Sequence, residues 1–363
     1  MRLLVIILAT LLSACTSTPF RPPVVVKDSK PFVGMAQLLH EAPNKEIDVI
    51  LVHGMCTHKQ QWALDTINAM AMAANQNVRP LTSGVATSEQ GIDIVSATTQ
   101  VAGGTINYSA FVWSGLTAAG KKQLEYDSTG TPNDCATEAS CKPKRAKLNG
   151  IMKDKLLNDC LSDALIYQGK EKAVINKAFV DAITNVVSAQ AQRNVGKSVP
   201  LVLISESLGS KMTFDALNLM RSATDVSTKR AGDMVGERIS YLYMGANQLP
   251  ILSLADQDGR PPIIDKDSPR HDALSQFLEQ LPKRASSPQI TVVAFTDPND
   301  QLSYRLLPQH YTTQAAIANI LVSNAKTYFG LFANPYAAHT TYLSNEDVTR
   351  AIVCGVAAGG HCR

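Results

Sequence analysis

The chain has 363 residues, 45% hydrophobic and 18% charged, with 34 Lys and Arg against 31 Asp and Glu. That is enough apolar material for one large core, and nothing in the composition demands a division into several domains. The net charge of +3 is spread along the sequence without a basic block, which argues against nucleic acid as a partner.

At the amino terminus Arg2 precedes the apolar run Leu3 to Leu12, which ends in Leu12-Ser13-Ala14-Cys15. A positive charge, a short hydrophobic stretch and small residues are the parts of a secretory signal. The run is shorter than the roughly 20 residues a membrane-spanning helix needs. Leu-Ser-Ala-Cys resembles the lipobox of bacterial lipoproteins, which implies removal of residues 1–14 and acylation of Cys15. The alternative is an ordinary cleaved signal with a free cysteine. Several acyl chains on one residue would anchor the protein stably, where a single chain would not. Thr16, rather than aspartate, follows Cys15, and in lipoproteins of this type that implies the outer membrane. The expected location is therefore the bacterial cell envelope. Residues 15–45 read as the acylated cysteine and an extended tether, with Pro19, Pro22, Pro23 and Pro31 in the stretch from Thr16 to Pro31. The folded domain is expected over residues 46–363.

Ile47 to Val52 reads as a buried strand ending in His53-Gly54-Met55, followed by a helical stretch from Gln60 through Ala73. Ile106 to Trp113 is the next predicted strand. Residues 115–149 form a polar insertion, and helical periodicity returns from Met152 to Val187. Leu201 to Ile204 is a strand that breaks at Ser205-Glu206-Ser207-Leu208-Gly209-Ser210. Leu208, Met212, Ala216 and Leu219 then recur at the spacing of a helix face. Ile239 to Met244 is a further strand. Residues 252–287 are a charged, proline-containing insertion, with one amphipathic piece from Ala273 to Leu281. Ile290 to Phe295 and Ile320 to Val322 complete the strands. Strands alternating with helices predict an α/β fold, a central mostly parallel sheet flanked by helices.

Setting Cys15 aside leaves an even number of the seven cysteines, as an oxidising compartment favours. Six cysteines allow 15 pairings. The local choices are Cys135 with Cys141 and Cys354 with Cys362, which would leave Cys56 with Cys160. The rival reading is a zinc site, but the chain has no C-x-x-C and no H-E-x-x-H motif.

A serine on a strand-to-helix corner stands above the sheet edge, its hydroxyl exposed beside the free N–H groups of the helix. Such a hydroxyl needs a base to act as a nucleophile, and a carboxylate must hold the base in one tautomer. Ser207 is at the apex of the corner, with Ser205 and Ser210 as alternatives. In Phe295-Thr296-Asp297-Pro298-Asn299-Asp300, Asp300 is the candidate acid; Asp297 precedes a proline and reads as a turn former. His339 is the candidate base, by its place after the last strand. His58, His271 and His310 lie in polar stretches where solvent exposure accounts for them. After the first strand, Gly54 lets the backbone turn so that the Met55 N–H can face a developing oxyanion, with the Leu208 N–H as its partner.

The order Ser207, Asp300, His339 resembles that of the α/β-hydrolase superfamily, whose triads run Ser, Asp or Glu, His. The resemblance extends from Ile47 to the carboxyl terminus through separate elements. One departure is Ser205, where the usual G-x-S-x-G elbow has glycine. The resemblance implies an α/β-hydrolase fold with a cap inserted before the acid-bearing strand. It also implies an acyl-enzyme at Ser207 that cleaves a carboxylic ester, a thioester or a lipid ester without cofactor or metal. A catalytically inactive hydrolase-fold lipoprotein, serving as a binding or envelope-assembly module, is the alternative.

Overall fold

A computed structural model describes residues 16–75, 79–129, 145–256, 272–283, 290–312 and 314–357. The signal segment, Cys15, Cys135, Cys141, Cys362 and His271 lie outside them. Short strands β1 (Thr16–Ser17) and β2 (Val24–Val25) lead to helix α1 (Gly34–Glu41), strand β3 (Glu46–Val52) and helix α2 (Gln60–Ala74). Strands β4 (Val85–Glu89), β5 (Ile92–Val101) and β6 (Gly104–Val112) follow. Past helical turns at 147–168 come α3 (Lys172–Arg193), β7 (Leu201–Glu206), α4 (Leu208–Ser222), α5 (Val226–Arg238) and β8 (Ile239–Gly245). The chain ends with α6 (Ala273–Glu279), β9 (Ile290–Thr296), β10 (Ala315–Leu321), β11 (Thr327–Tyr328), β12 (Phe332–Ala333), α7 (Pro335–Thr340) and α8 (Glu346–Cys354).

The main sheet has nine strands in the order β2-β10-β9-β8-β7-β3-β6-β5-β4. The strands from β10 to β6 are mutually parallel, and β2, β5 and β4 pair antiparallel at the edges. The central strands are covered on both faces, which explains why they read as continuous apolar runs. Along β3, Ile50 and Val52 enter the core beneath α3, α4, α5 and α6, while Val49 and Leu51 enter the core beneath α1, α2 and α8. Because the strands are parallel, the loops after β3, β7, β8, β9 and β10 all emerge at one edge. The chain turns from β3 to β6 on one side, and β7 lies on the other, so the gap between β3 and β7 is a switch point where ligands of open α/β sheets bind.

The opposite edge is fastened by one buried carboxylate. Asp48 accepts hydrogen bonds from Arg193, Arg238 and Asn194 and so ties β3 to the end of α3 and the junction of α5 with β8.

Several elements differ from the sequence expectations. The predicted tether is docked: Val24 and Val25 pair with Leu321 and Ile320, and Phe32, Met35 and Leu39 are buried in the core. The helical stretch expected from Met152 to Val187 winds in wide π-type turns over Met152–Leu161 and breaks at Gly169 before α3. The hairpin β4–β5 and helix α5 carry so many polar residues that neither was predicted. Part of the expected cap is core: Leu274, Phe277, Leu278 and Leu281 recur at helical spacing and are buried, with Phe277 against Phe214 of α4. Residues 257–271 of that segment lie outside the described residues.

Replacing Asp48 with Ala removes the acceptor shared by two guanidinium groups. The expected loss is about 3 kcal/mol in urea unfolding; a change below about 0.5 kcal/mol would mean the cluster does not fasten this edge.

Candidate active site

Ser207 joins β7 directly to α4. Its backbone has φ +53 and ψ −128, a conformation that costs energy for any residue with a Cβ and that strand-to-helix corners impose on an apex serine. The Ser207 N–H donates to the Gly245 carbonyl of the adjacent strand end (2.8 Å), and the Ser207 carbonyl accepts from Ser210 (3.1 Å). Ser205 and Ser210 face each other at 2.9 Å through their hydroxyls, both buried. The serine at the first glycine position of the elbow is thus accommodated by a local hydrogen bond.

The three distant residues expected to act together meet here. The Ser207 hydroxyl is 2.9 Å from His339 Nε2. His339 Nδ1 is 2.8 and 3.0 Å from the two carboxylate oxygens of Asp300. A carboxylate only accepts, so Nδ1 carries the hydrogen and Nε2 is left as acceptor for the serine O–H. Asp300 is held in place by the Leu302 N–H at 3.0 Å and the Tyr342 hydroxyl at 3.0 Å. His339 is carried on α7, which Asn334 caps by accepting from Tyr336 and Ala337.

Asp297 has the role its proline neighbour suggested. Its carboxylate accepts from the N–H groups of Asn299, Asn324 and Ala325 and shapes the turn that presents Asp300. Of the remaining histidines, His310 and His58 are not explained by solvent. His310 is buried in the turn Pro308–His310, and His58 packs its ring 4.4 Å from that of His53.

His53 is fully buried and stacks on Trp113 at 4.6 Å. Its Nε2 accepts from the Trp113 N–H (2.9 Å), so Nδ1 carries the hydrogen and donates to the Gly54 carbonyl (2.6 Å). Burial, reinforced by His58, holds its pKa well below the ordinary value, so it stays a neutral strut for the loop after β3. Further along, Cys56 is disulfide-bonded to Cys160, and its N–H donates to Asp163 at 2.7 Å. Lys121 joins Asp159 and Asp163 beneath the loop. Cys354 is also disulfide-bonded, to a partner outside the described residues.

Two glycines bring this loop against the Ser207 corner. A Cβ on Gly54 would lie 2.8 Å from Ser207 Cβ, and one on Gly209 would lie 2.2 Å from the His53 carbonyl oxygen. Met55 and Leu208, the residues that follow Gly54 and Ser207, are adjacent in the chain to this contact. Among the described residues neither backbone N–H is committed to a hydrogen bond.

Four residues missed in the sequence shape the surroundings. Gln248, after β8, places its amide nitrogen 3.4 Å from His339 Nε2 and 3.8 Å from Met55 Sδ, and its buried amide oxygen has no hydrogen-bond partner among the described residues. Tyr342 receives the Asp297 N–H on its hydroxyl while donating to Asp300. Trp113 braces the loop after β3. Glu206 is buried, and that burial, followed by the charge of Asp300, raises its pKa to about 8. A cavity of about 390 Å³ adjoins this carboxyl, walled by Trp62, Asp65, Thr340 and Ser344 among others. Its wall comes mostly from the loop after β3 and from α2, with Glu206 and Thr340 contributing beside Ser207 and His339, which themselves do not line it. Only Glu206 left a trace in the sequence, as a charge at the end of an apolar run.

Among the described residues no cluster of His, Cys, Asp and Glu is arranged to hold a metal ion. Comparison with protein-family models, curated proteins and solved structures gave no match to this chain.

Two outcomes test this geometry. Gly209→Ala drives a methyl into the His53 carbonyl, so labelling of Ser207 by a fluorophosphonate should slow at least about tenfold, with a stability loss of about 1–3 kcal/mol. Unchanged labelling would show that the loop contact is dispensable. Glu206 bears on pH dependence. Unfolded, it ionises in the ordinary carboxylate range; folded, it keeps its proton up to about 8. Its stabilising protonation is complete below the unfolded pKa and is lost as pH rises to the folded one. Glu206→Gln lacks this loss, so its urea midpoint should gain on that of the parent between about pH 5 and pH 9. Parallel pH profiles would contradict the burial argument.

Proposed function

We propose that the chain is a lipid-anchored serine hydrolase of the α/β-hydrolase type, acting on a carboxylic ester through an acyl-enzyme at Ser207. The observation that carries this reading is the unbroken hydrogen-bond line from the Ser207 hydroxyl through both ring nitrogens of His339 to Asp300. A hydroxyl with a neutral imidazole as acceptor and a carboxylate behind it is equipped for proton transfer on attack.

In the proposed reaction Ser207 Oγ adds to the ester carbonyl as its proton passes to His339 Nε2. Asp300 stabilises the imidazolium that forms. The N–H groups of Met55 and Leu208 receive the oxyanion, an interaction commonly worth about 3 kcal/mol per donor. Collapse expels the alcohol, which takes the proton from His339. Water then adds to the acyl-enzyme with His339 again as base, and the carboxylic acid leaves while Ser207 regains its hydrogen. The reaction calls on no cofactor. Cys15, through its acyl chains, would hold the domain at an envelope membrane.

Ser207→Ala should lower kcat on p-nitrophenyl acetate by at least about a thousandfold without changing the thermal midpoint. Asp300→Asn should cost about 10³–10⁴ in kcat, since His339 loses the acceptor that fixes its tautomer. A fluorophosphonate should attach to Ser207. Folded protein that neither labels nor turns over esters would exclude the hydrolase reading in favour of a binding module.

A further inference from the structure

Beyond the nine-stranded sheet, the chain builds a small three-stranded one in the order β1-β11-β12. Thr16 and Ser17 pair with Tyr328 and Thr327, and Thr327 and Tyr328 pair with Ala333 and Phe332. The hairpin tip reads Tyr328-Phe329-Gly330-Leu331-Phe332. These large side chains are turned out to solvent: Leu331 is 90% exposed, Phe329 63%, Phe332 47% and Tyr328 45%. Among the described residues they form the densest run of exposed large apolar side chains, all within one turn.

A tight turn explains the fold-back but not these residues. Phe329 has φ +54 and Gly330 φ +67, with the Leu331 N–H closing on the Tyr328 carbonyl at 3.0 Å. Asn or Gly takes the first of these positions without strain, whereas a bulky aromatic residue does not. Phenylalanine there leaves most of its surface in solvent, so that apolar surface is available to something outside the protein. Exposed Lys326 precedes the hairpin.

The position of the hairpin indicates what that is. Thr16, paired with Tyr328 beside the apolar tip, directly follows Cys15 in the sequence, the residue expected to carry acyl chains. No helix among the described residues is long and apolar enough to cross a membrane. We propose that the β11–β12 hairpin is a membrane-docking element, inserting Phe329, Leu331 and Phe332 into the bilayer interface next to the acylated amino terminus. Aromatic and leucine side chains favour that region, and a nearby lysine complements anionic headgroups. The hairpin runs into Asn334, the cap of α7, so docking would also fix the face on which His339 is carried. The placement rests on the anchor reading of Cys15; the insertion does not.

The test uses the full chain carrying Phe329→Trp, whose added indole is read over Trp62 and Trp113. The probe is vesicles of phosphatidylethanolamine and phosphatidylglycerol, with and without brominated acyl chains. Vesicle flotation and the mass of the Cys15 peptide are measured in parallel. The expected result is a blue shift and loss of about half or more of the added emission on brominated vesicles. Introducing Leu331→Asp should cut that quenching several-fold while leaving the circular dichroism unchanged. Acylated protein that floats with an unquenched, water-exposed indole overturns the hairpin proposal and leaves the anchor standing. Quenching without acylation of Cys15 does the reverse. Protein that neither floats nor quenches overturns both.

Discussion

The corner at Ser207 holds its backbone in a left-handed conformation between a buried strand and a helix, and the surrounding residues answer to that constraint. Gly209 must lack a side chain because the His53 carbonyl presses on it, and Gly54 because Ser207 does. Ser205 must be small and polar to reach Ser210. Neighbouring strand ends supply what the corner lacks: Gly245 accepts its N–H, and the loop after β3 faces it with Met55. Strain of this sort persists only where the surroundings over-determine it.

Around the corner, charge is distributed unevenly. Asp300 and Asp297 accept hydrogen bonds from N–H and O–H donors, whereas Glu206 keeps its proton because burial, followed by the charge of Asp300, raises its pKa. Tyr342 couples the acid-bearing turn to the segment before α8 through both roles of its hydroxyl. Burial thus keeps the Glu206 carboxyl neutral near the Asp300 carboxylate, so that repulsion between the two is avoided.

The six parallel strands and the order of Ser207, Asp300 and His339 were legible because buried strands are apolar on both faces and the residues of interest follow their ends. Peripheral elements were not. The β4–β5 hairpin alternates polar residues that any loop also carries, and α1 sat in a stretch read as tether because its prolines outweighed Met35 and Leu39. Residues acting through the third dimension left no local pattern either: Gln248, Tyr342 and Trp113 are separated from the corner by tens of residues in sequence. Exposure was misjudged for His58 and His310 because polar neighbours in sequence need not be neighbours in space.

The Cys56–Cys160 bond gives the loop after β3 a history as well as a shape. The loop's two ends are β3 and α2, and its middle is sewn to a segment more than a hundred residues later. In a compartment that keeps thiols reduced, that stitch does not form, and the Met55 turn would be held by non-covalent contacts alone, among them those of Asp159, Asp163, Lys121 and the His53–Trp113 stack. The full restraint on the loop beside Ser207 therefore depends on oxidising surroundings.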